Sequence, residues 1–445
     1  MTKSFSILIN KKIKKFNKVI HVDGDKSISH RFFLIASQAC GISKALGILE
    51  SEDVLHTINS LKKLGVKILK KRGHFLVYGN GLSSFKTKNK LSINCGNSGT
   101  LARLIVGLLV SYPNKFKIFG DKSLNKRPMD RVILPLEKFG MNFQTTKKRT
   151  MPIILSGSNM PIPISHEEKI GSAQVKSSII FAALNTPGIT KIKEFYPSRN
   201  HTENMLKYAG ANLKIKKINQ HNLISITGQK DFKSFNLSIP GDISSAAFFI
   251  AITLLGYKSK IKIKNVNINS TRNGIIEILI KMKANIKIIN IKNICGEKVG
   301  DIIVKSSKLK SINCPKNLVP KTIDEFPILM VVAARAAGIS TFSGLKELNK
   351  KESPRLNLIN KIFKQVGVKT KLKNDSIKIY GNPNLDLKKS YKIDSMYDHR
   401  IAMSIFCLAQ TCGGNFNILK SHSINTSFPS FLDLMKKIGA KYESI

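Results

Sequence analysis

The chain contains no stretch approaching the roughly 20 consecutive apolar residues that a membrane span requires. Its N-terminus is basic but lacks the apolar segment and small-residue cleavage site of a secretory signal peptide. Phe5, Ile7 and Ile9 fall there at alternate positions, and this period of two predicts a first β-strand. We therefore expect a cytoplasmic protein without a membrane partner.

Cysteine is scarce, and the six cysteines in 445 residues show none of the paired spacings that are typical of metal sites. Reduced thiols packed inside a cytosolic protein are the interpretation that this pattern favours. We expect neither a metal nor a cofactor. The cysteines are Cys40, Cys95, Cys295, Cys314, Cys407 and Cys412.

Acidic residues are also few, since 27 Asp and Glu stand against 74 Lys and Arg and leave a net charge of +47. So high a charge makes a nucleic-acid-binding protein an alternative function. However, aromatic residues are not interleaved with the basic ones in the way that stacks bases. The lysines are spread along the chain beside Ile and Asn, three residue types that an AT-rich coding sequence enriches. We therefore expect no specific nucleic-acid partner, although the charge can steer small anions.

A short polar turn followed at once by an apolar helix recurs six times. Successive copies begin 72, 75, 70, 83 and 74 residues apart, and this near-regular period predicts six similar units. The copies are GDKSISHRFFLIA from Gly24, GNSGTLARLIVGLLV from Gly96, GSAQVKSSIIFAAL from Gly171, GDISSAAFFIAIT from Gly241, DEFPILMVVAARA from Asp324 and DHRIAMSIFCLA from Asp398.

The recurring helices are apolar on nearly every face, which is typical of helices buried all round. Between them, Ile or Val alternates with Lys or Asn at 212–218, 260–269 and 376–381, as in sheets with one solvated face. The sequence thus predicts an α/β fold in which sheets surround buried helices. Six such units favour two domains of three units each, divided near 239–241.

Arginine is rare in this lysine-rich chain, and its placement is informative. Arg31, Arg127, Arg199, Arg355 and Arg400 lie in or next to the polar turns. A guanidinium binds carboxylate or phosphate through two parallel hydrogen bonds, which an ammonium cannot reproduce. The unpaired N–H groups at helix N-termini favour the same anions. Together they predict a small ligand with several negative charges, held between the domains.

Nine short motifs, in order along essentially the whole chain, carry a resemblance to a known family. In this combination the chain resembles the EPSP synthases, or 3-phosphoshikimate 1-carboxyvinyltransferases, and three of the motifs (GDKSISHR, SAQVKS and KRPM) look more like the bacterial class II branch. The motifs are GDKSISHR (24–31), GNSGT (96–100), KRPMDR (126–131), GSAQVKS (171–177), RNHTE (199–203), IDEFP (323–327), KESPR (351–355), DHRIAMS (398–404) and TSFP (426–429).

The resemblance implies the enolpyruvyl transferase fold, with two domains of three βαβαββ-like units and an active site in the cleft between them. The first domain would span 21–240, and the second 241–445, completed by an N-terminal strand within 1–20. We expect a monomer.

The implied reaction transfers the enolpyruvyl group of phosphoenolpyruvate (PEP) to the 5-hydroxyl of shikimate 3-phosphate and releases phosphate through a tetrahedral intermediate. It needs a base for the hydroxyl, an acid for the PEP methylene and cations for two phosphates and two carboxylates. The resemblance makes Asp324 the base and Glu352 with Lys26 the proton-transfer groups at the methylene. From the residues alone, Asp324 could equally be an N-cap of its helix. Asp398 is interpreted as a cap and His399 as a residue that lines the site.

The resemblance also implies which residues bind each substrate. Ser27 and Arg31 are four residues apart and share one helix face, which suits joint binding of one group. For shikimate 3-phosphate the residues are Lys26, Ser27, Arg31, Ser172, Ala173, Gln174, Arg199, Asp324 and Lys351. For PEP they are Lys26, Gly99, Arg127, Gln174, Arg355 and Arg400. Because Gly99 leaves room that alanine fills in tolerant class II members, the resemblance further implies inhibition by glyphosate in competition with PEP.

The chain departs from the family pattern at Pro354, where the family usually has Asp. A proline removes an N–H between Lys351 and Arg355, but proline is tolerated in the first turn of a helix, so we expect activity to survive. At Thr426 the class I branch has a lysine, and no PEP contact is predicted there.

The nearest alternative is the sister UDP-N-acetylglucosamine enolpyruvyl transferase, which shares the fold and PEP. That family usually carries a cysteine in a mobile loop ahead of an Arg-Pro pair. The corresponding loop here, GDKSLNKRP at 120–128, has none. The acceptor used in an assay would discriminate the two enzymes, and the salt dependence of nucleic-acid binding would reveal the non-enzymatic alternative.

Overall fold

The computed structural model describes residues 4–219 and 221–445, and its chain divides into two compact units. We call the unit of Gly24–Ile239 with Asn293–Glu297 the first domain. The second domain comprises the residues up to Asp23, Pro240–Lys292 and Lys298–Ile445.

These bounds differ from the predicted ones by one residue at Pro240, which belongs to the second domain, and by longer segments at two further places. Residues 21–23 belong to the second domain, where the main-chain N–H of Asp242 donates to the carbonyl of Asp23. Residues 293–297 belong to the first domain, where the side-chain amide of Asn204 donates to the carbonyl of Gly296 at 3.1 Å. Both longer differences arise from tertiary hydrogen bonds that no sequence period reports.

The described residues form thirteen α-helices and twenty-three strands. The helices are α1 Lys26–Ala36, α2 Glu52–Lys63, α3 Gly99–Leu108, α4 Asp130–Glu137, α5 Ala173–Leu184, α6 His201–Tyr208, α7 Ile243–Leu255, α8 Gly274–Lys281, α9 Val319–Thr322, α10 Phe326–Ala334, α11 Arg355–Gln365, α12 His399–Cys412 and α13 Phe431–Lys437. The strands are β1 Ile7–Ile9, β2 Asn17–Ile20, β3 Cys40–Leu46, β4 Lys67–Lys71, β5 His74–Asn80, β6 Lys90–Asn94, β7 Lys115–Phe119, β8 Asn142–Gln144, β9 Ile153–Ser156, β10 Ser165–Glu168, β11 Ile189–Glu194, β12 Leu213–Ile218, β13 His221–Thr227, β14 Asn236–Ser238, β15 Lys260–Asn267, β16 Asn285–Ile294, β17 Glu297–Lys305, β18 Gly338–Phe342, β19 Thr370–Lys373, β20 Ser376–Gly381, β21 Ser390–Asp394, β22 Asn415–Leu419 and β23 Glu443–Ser444.

The first domain contains three four-stranded sheets, ordered β14-β3-β5-β4, β6-β7-β9-β8 and β10-β11-β13-β12. Each sheet has one parallel pair followed by two antiparallel pairs. The order β6-α3-β7-α4-β8-β9 recurs as β10-α5-β11-α6-β12-β13, which is the predicted βαβαββ unit. The helix after the first strand of each unit makes the crossover that a parallel pair requires.

The second domain contains sheets ordered β16-β17-β15-β2, β18-β20-β19 and β21-β22-β1-β23. The predicted first strand is present as β1, which pairs antiparallel with β22 and β23. Its Ile7 and Ile9 side chains are buried in the apolar core of this domain. The strand predicted at 260–269 is β15, where Ile261 and Ile263 are buried and Lys260 is exposed.

The recurring helices are buried, as their sequences predict. Every residue of α12 and α10 is buried, and so is every residue of α7 except the last. The helices α1, α3 and α5 lie in the apolar core of the first domain in the same way. Among the described residues, no helix is both long enough and apolar enough to cross a membrane.

Candidate active site

The polar turns cap the buried helices, so their function is partly structural. The side chains of Asp25, Ser98, Ser172, Asp242 and Asp398 each accept a hydrogen bond from a main-chain N–H in the first turn of their helices. The cap interpretation of Asp398 is thus confirmed. For Asp324 the cap alternative is wrong, because α10 begins at Phe326 behind Glu325, whose side chain makes no cap hydrogen bond.

In the first domain, α1 carries Lys26, Ser27 and Arg31. The ammonium of Lys26 lies 3.1 Å from a carboxylate oxygen of Asp53, and both side chains are partly exposed. The guanidinium of Arg31 is buried and donates to three neutral acceptors. These are the hydroxyl of Thr202 at 2.7 Å, the hydroxyl of Ser177 at 3.1 Å and the carbonyl of Ser27 at 3.1 Å.

No described carboxylate lies within ion-pair distance of Arg31, although its side chain is only 3% exposed. Burial is the main cause that lowers the pKa of Arg31 to about 10; Glu203 opposes this decrease and Arg199 adds to it. A buried cation that no carboxylate contacts directly is stabilised when an anion joins it. The environment of Arg31 therefore suits an anionic ligand.

The N-terminus of α5 carries the second group of predicted residues. Ser172 is the N-cap, while Ala173 and Gln174 are the first two helical residues and are partly exposed. The main-chain N–H groups of Ile170 and Ser172 donate to one oxygen of Glu168, which fixes the approach to the helix.

Arg199 lies just ahead of α6 in a loop that is held by a buried ionic cluster. Lys176 is fully buried, and its ammonium lies 2.7 Å from both Glu194 and Glu203. Glu194 also accepts hydrogen bonds from the main-chain N–H and the hydroxyl of Ser198. Burial alone would lower the pKa of Lys176, but the two glutamates outweigh burial and raise its pKa. This cluster fixes Ser198, the residue next to Arg199. The cluster was not predicted from the sequence.

Gly99 and Arg127 are close together in the first domain. A side chain at Gly99 would place a Cβ atom 3.1 Å from Nη1 of Arg127 and 2.8 Å from Nη1 of Arg103. Arg103 was not predicted, yet its Nη1 donates to the carbonyl of Gly99 at 3.3 Å and to Oε1 of Gln174 at 3.0 Å, and Nη2 donates to the carbonyl of Pro128. Arg103 therefore connects the N-termini of α3 and α5 with the segment that carries Arg127.

In the second domain, Asp324 lies between two cations. Its Oδ1 atom is 3.1 Å from the ammonium of Lys351 and 3.6 Å from Nη1 of Arg355. The side chain of Asp324 is 14% exposed, whereas that of Arg355 is 1% exposed. The carboxylate of Asp324 is therefore held by cations and still partly exposed, as a base that accepts a substrate proton needs to be.

Arg355 is the centre of this cluster. Its Nε donates to Oδ2 of Asp398 at 2.8 Å, and its Nη2 donates to Glu352. Burial alone would lower the pKa of Arg355, but Asp398, Glu352 and Asp324 outweigh burial and raise it. Nη1 makes no hydrogen bond with a described residue. One edge of the guanidinium thus bonds the cap Asp398 and the predicted catalytic Glu352, while Nη1 lies 3.6 Å from Asp324 and remains able to donate to a ligand.

Pro354 does not disturb this arrangement. It is the N-cap of α11, which begins at Arg355. The carbonyl of Pro354 accepts the helical hydrogen bond from the N–H of Leu358 at 2.9 Å. At the N-cap no helical bond is donated by the residue's own nitrogen, so the N–H that proline lacks is not needed there.

Arg400 lies near the start of α12, after the buried His399. Its Nη1 donates to the carbonyl of Asp324 at 2.9 Å and lies 3.5 Å from Oε1 of the buried Glu325. Glu325 in turn pairs with Arg272. Neither residue was predicted as a site residue: Glu325 lies within the IDEFP motif but was given no function there, and Arg272 lies outside the nine motifs.

The predicted residues thus fall into two groups. The first domain contains Lys26, Ser27, Arg31, Gly99, Arg127, Ser172, Ala173, Gln174 and Arg199, and the second contains Asp324, Lys351, Glu352, Arg355 and Arg400. The first group is rich in anion-binding donors, and the second adds two carboxylates beside cations. Among the described residues, no group of three His, Cys, Asp or Glu side chains is arranged to hold a metal ion.

Comparison with known proteins gives matches along nearly the whole chain. Residues 10–435 match the family model described as EPSP synthase (3-phosphoshikimate 1-carboxyvinyltransferase). A 3-phosphoshikimate 1-carboxyvinyltransferase of Zymomonas mobilis is 40% identical over 98% of this chain and 97% of its own length. One of Endomicrobium trichonymphae is also 40% identical, over 96% of this chain and 99% of its own.

Solved structures are similar over the full length as well. An EPSP synthase from Acinetobacter baumannii matches with a TM-score of 0.85 and 36% identity, covering 100% of both chains. The enolpyruvyl transferase NikO from Streptomyces tendae matches with a TM-score of 0.78 at 12% identity, covering 100% of this chain and 99% of its own. The second match shows a shared fold alone.

Proposed function

Because the chain belongs to the EPSP synthase family, we propose that it transfers the 1-carboxyvinyl group of PEP to the 5-hydroxyl of shikimate 3-phosphate. The products are 5-enolpyruvylshikimate 3-phosphate and phosphate, in a step of aromatic amino-acid biosynthesis. The observation that carries the proposal is the 40% identity to relatives of that name over nearly the full length of both chains. The acid–base groups and anion-binding donors that this reaction needs are all present.

Asp324 takes the proton of the 5-hydroxyl as its oxygen attacks C2 of PEP, while the PEP methylene gains a proton. Lys351 and Arg355 hold the carboxylate of Asp324 in position, since the ammonium of Lys351 lies 3.1 Å and Nη1 of Arg355 lies 3.6 Å from its Oδ1 atom. Glu352 and Lys26 transfer protons at the PEP methylene. This carbon gains a proton during the addition and loses one when phosphate leaves. The prediction that the two residue groups meet in a cleft between the domains stays a prediction.

Each substrate is assigned a set of donors. Arg31, with Ser27 and Lys26, binds the carboxylate side of shikimate 3-phosphate, since the buried guanidinium of Arg31 has only neutral partners. The N-terminus of α5 with Arg199 binds its phosphate, because helix N-termini favour anions. Gly99, Arg127 and Gln174 bind the phosphate end of PEP. Arg355, through Nη1, and Arg400 bind the PEP carboxylate.

The test is phosphate release from PEP by the purified protein, with either shikimate 3-phosphate or UDP-N-acetylglucosamine as acceptor. We expect release only with shikimate 3-phosphate. Release only with the sugar nucleotide would move the activity to the sister transferase, which uses PEP as well. A folded protein that releases phosphate with neither acceptor would contradict the proposal.

Replacing Gly99 by alanine is expected to weaken PEP binding selectively. The new Cβ would lie 2.8 and 3.1 Å from the two guanidiniums of Arg103 and Arg127, which can shift because they are the ends of flexible side chains. The protein should fold, with the KM for PEP raised by about tenfold, equivalent to about 1.4 kcal/mol. The KM for shikimate 3-phosphate should stay nearly constant. Glyphosate, as the predicted competitor of PEP, should lose potency in the same variant; equal effects on both substrates would contradict the assignment.

Three finer assignments complete the proposal. The motifs GDKSISHR, SAQVKS and KRPM favour the class II branch. The free cysteines, four of them buried, favour a reducing compartment such as the cytoplasm. A monomer is expected by resemblance to the family, and sedimentation of the purified protein would check it.

A further inference from the structure

Two arginines share one buried glutamate in the second domain. Oε2 of Glu325 lies 2.8 Å from Nη1 of Arg272, while Oε1 lies 3.5 Å from Nη1 of Arg400. The hydroxyl of Ser244 also donates to Oε1. Glu325 is fully buried, Arg272 is 2% exposed, and Arg400 is 7% exposed. The shorter ion pair is therefore made by the arginine that has no assigned function.

The charges in this cluster oppose one another. Burial alone would lower the pKa of Arg272, but Glu325, Asp242 and Asp324 outweigh burial and raise it, so Arg272 is firmly cationic. Oδ1 of Asp242 lies 3.9 Å from Nη2 of Arg272. If Arg272 were neutral, the whole charge of Glu325 would face Arg400. A neutralised Arg400 would attract an anionic ligand less strongly.

We propose that Arg272 is a positioning residue for the carboxylate of PEP: it engages Glu325, which then orients Arg400 without neutralising it. This inference rests on the proposed function, in which Arg400 binds that carboxylate. Arg272 acts through Glu325 and Arg400 and has no contact with the substrate itself.

Two neighbouring repeats carry an arginine at the same position, and their comparison supports a positioning function for Arg272. Arg199 precedes the N-cap Asn200 of α6, and Arg272 precedes the N-cap Asn273 of α8. The two arginines thus occupy corresponding positions. Arg199 remains partly exposed, whereas Arg272 is buried against Glu325. In the later repeat the arginine at this position is therefore inside the domain.

The test is steady-state kinetics of Arg272→Gln with each substrate varied in turn. Removing the charge lets Glu325 pair fully with Arg400, so the KM for PEP should rise by about tenfold, within the range of coupling between neighbouring charges. The KM for shikimate 3-phosphate should change by less than about twofold. The double variant Arg272→Gln/Glu325→Gln should recover most of the KM for PEP, because it removes the competing carboxylate as well.

Arg335→Gln is the matched control. Arg335 is a second-domain arginine whose guanidinium donates to the carbonyls of Pro383 and Thr411, and it contacts no predicted site residue. Its substitution should leave both KM values unchanged. If Arg272→Gln raises both KM values equally, or if the double variant is no better than the single one, the inference is wrong.

A milder variant keeps the inference testable if Arg272→Gln fails to fold. Ser244→Ala removes the hydroxyl that donates to Oε1 of Glu325 and accepts from Nη2 of Arg272, and it leaves every charge in place. Oε1 is then free to approach Arg400, and the KM for PEP should rise by about threefold. An unchanged KM for PEP in the folded variant would overturn the inference. Turnover of the wild-type protein with shikimate 3-phosphate, measured in the same experiment as the variant, shows separately whether the proposed function holds.

Discussion

Asp324→Asn is expected to lower kcat by about 10²- to 10⁴-fold, the range that general acid–base groups contribute. The amide keeps the size of the carboxylate but cannot accept a proton from the 5-hydroxyl. Lys351 and Arg355, the two cations beside Asp324, remain in place. Binding of shikimate 3-phosphate should therefore stay measurable by calorimetry while turnover is lost.

The structure removes one ambiguity from the interpretation of Asp324→Asn, namely that Asp324 could be the N-cap of a helix. At an N-cap, loss of the negative charge would have weakened its interaction with the helix dipole by roughly 0.3–1 kcal/mol and confused the result. Since Glu325 and not Asp324 precedes α10, that confusion is removed. Asp301→Asn is a suitable control, because Asp301 is a buried second-domain carboxylate that pairs with Lys262 at 3.0 Å, away from the predicted site. Turnover of Asp324→Asn at the level of this control would exclude Asp324 as the base.

The period of the sequence was sufficient to predict the repeated units and the buried helices, because burial leaves a composition signal at every turn of a helix. The first strand was predictable for the same reason, since Ile7 and Ile9 point into one core. That residues 293–297 belong to the first domain could not be predicted from the sequence. It depends on side-chain bonds such as the one between Asn204 and Gly296, which have no period.

Some residues of the candidate site could likewise be predicted from the sequence, and others could not. Motif residues could be named from the sequence because each has a fixed spacing within one turn and helix. Arg103 and Lys176 could not be named, since their function appears only when side chains from different elements meet. Lys176 lies in the motif GSAQVKS and in a helix predicted to be buried, but nothing in the sequence identifies the two glutamates that pair with it. Its burial between two glutamates is a tertiary property.

Arg355→Lys is expected to have a large effect on both turnover and stability. Lysine keeps the charge, but its ammonium cannot reproduce the planar fork that bonds Asp398 and Glu352 at once. Of the two carboxylates, Asp398 is fully buried and Glu352 is 21% exposed, so the larger loss is at Asp398, where breaking a buried pair costs about 3–5 kcal/mol. We expect a clear fall in melting temperature, which PEP should restore only weakly.

The kinetic consequence separates the two functions assigned to Arg355. Orientation of Asp324 and Glu352 affects kcat, whereas donation by Nη1 affects the KM for PEP, so the lysine variant should change both. The KM for shikimate 3-phosphate should change least, because its carboxylate is assigned to Arg31 in the first domain. Arg335→Lys repeats the substitution where the guanidinium bonds only main-chain carbonyls and a cysteine, and it should retain wild-type kinetics. If Arg355→Lys loses stability but keeps its kcat and KM for PEP, the cluster supports the fold and takes no part in the reaction.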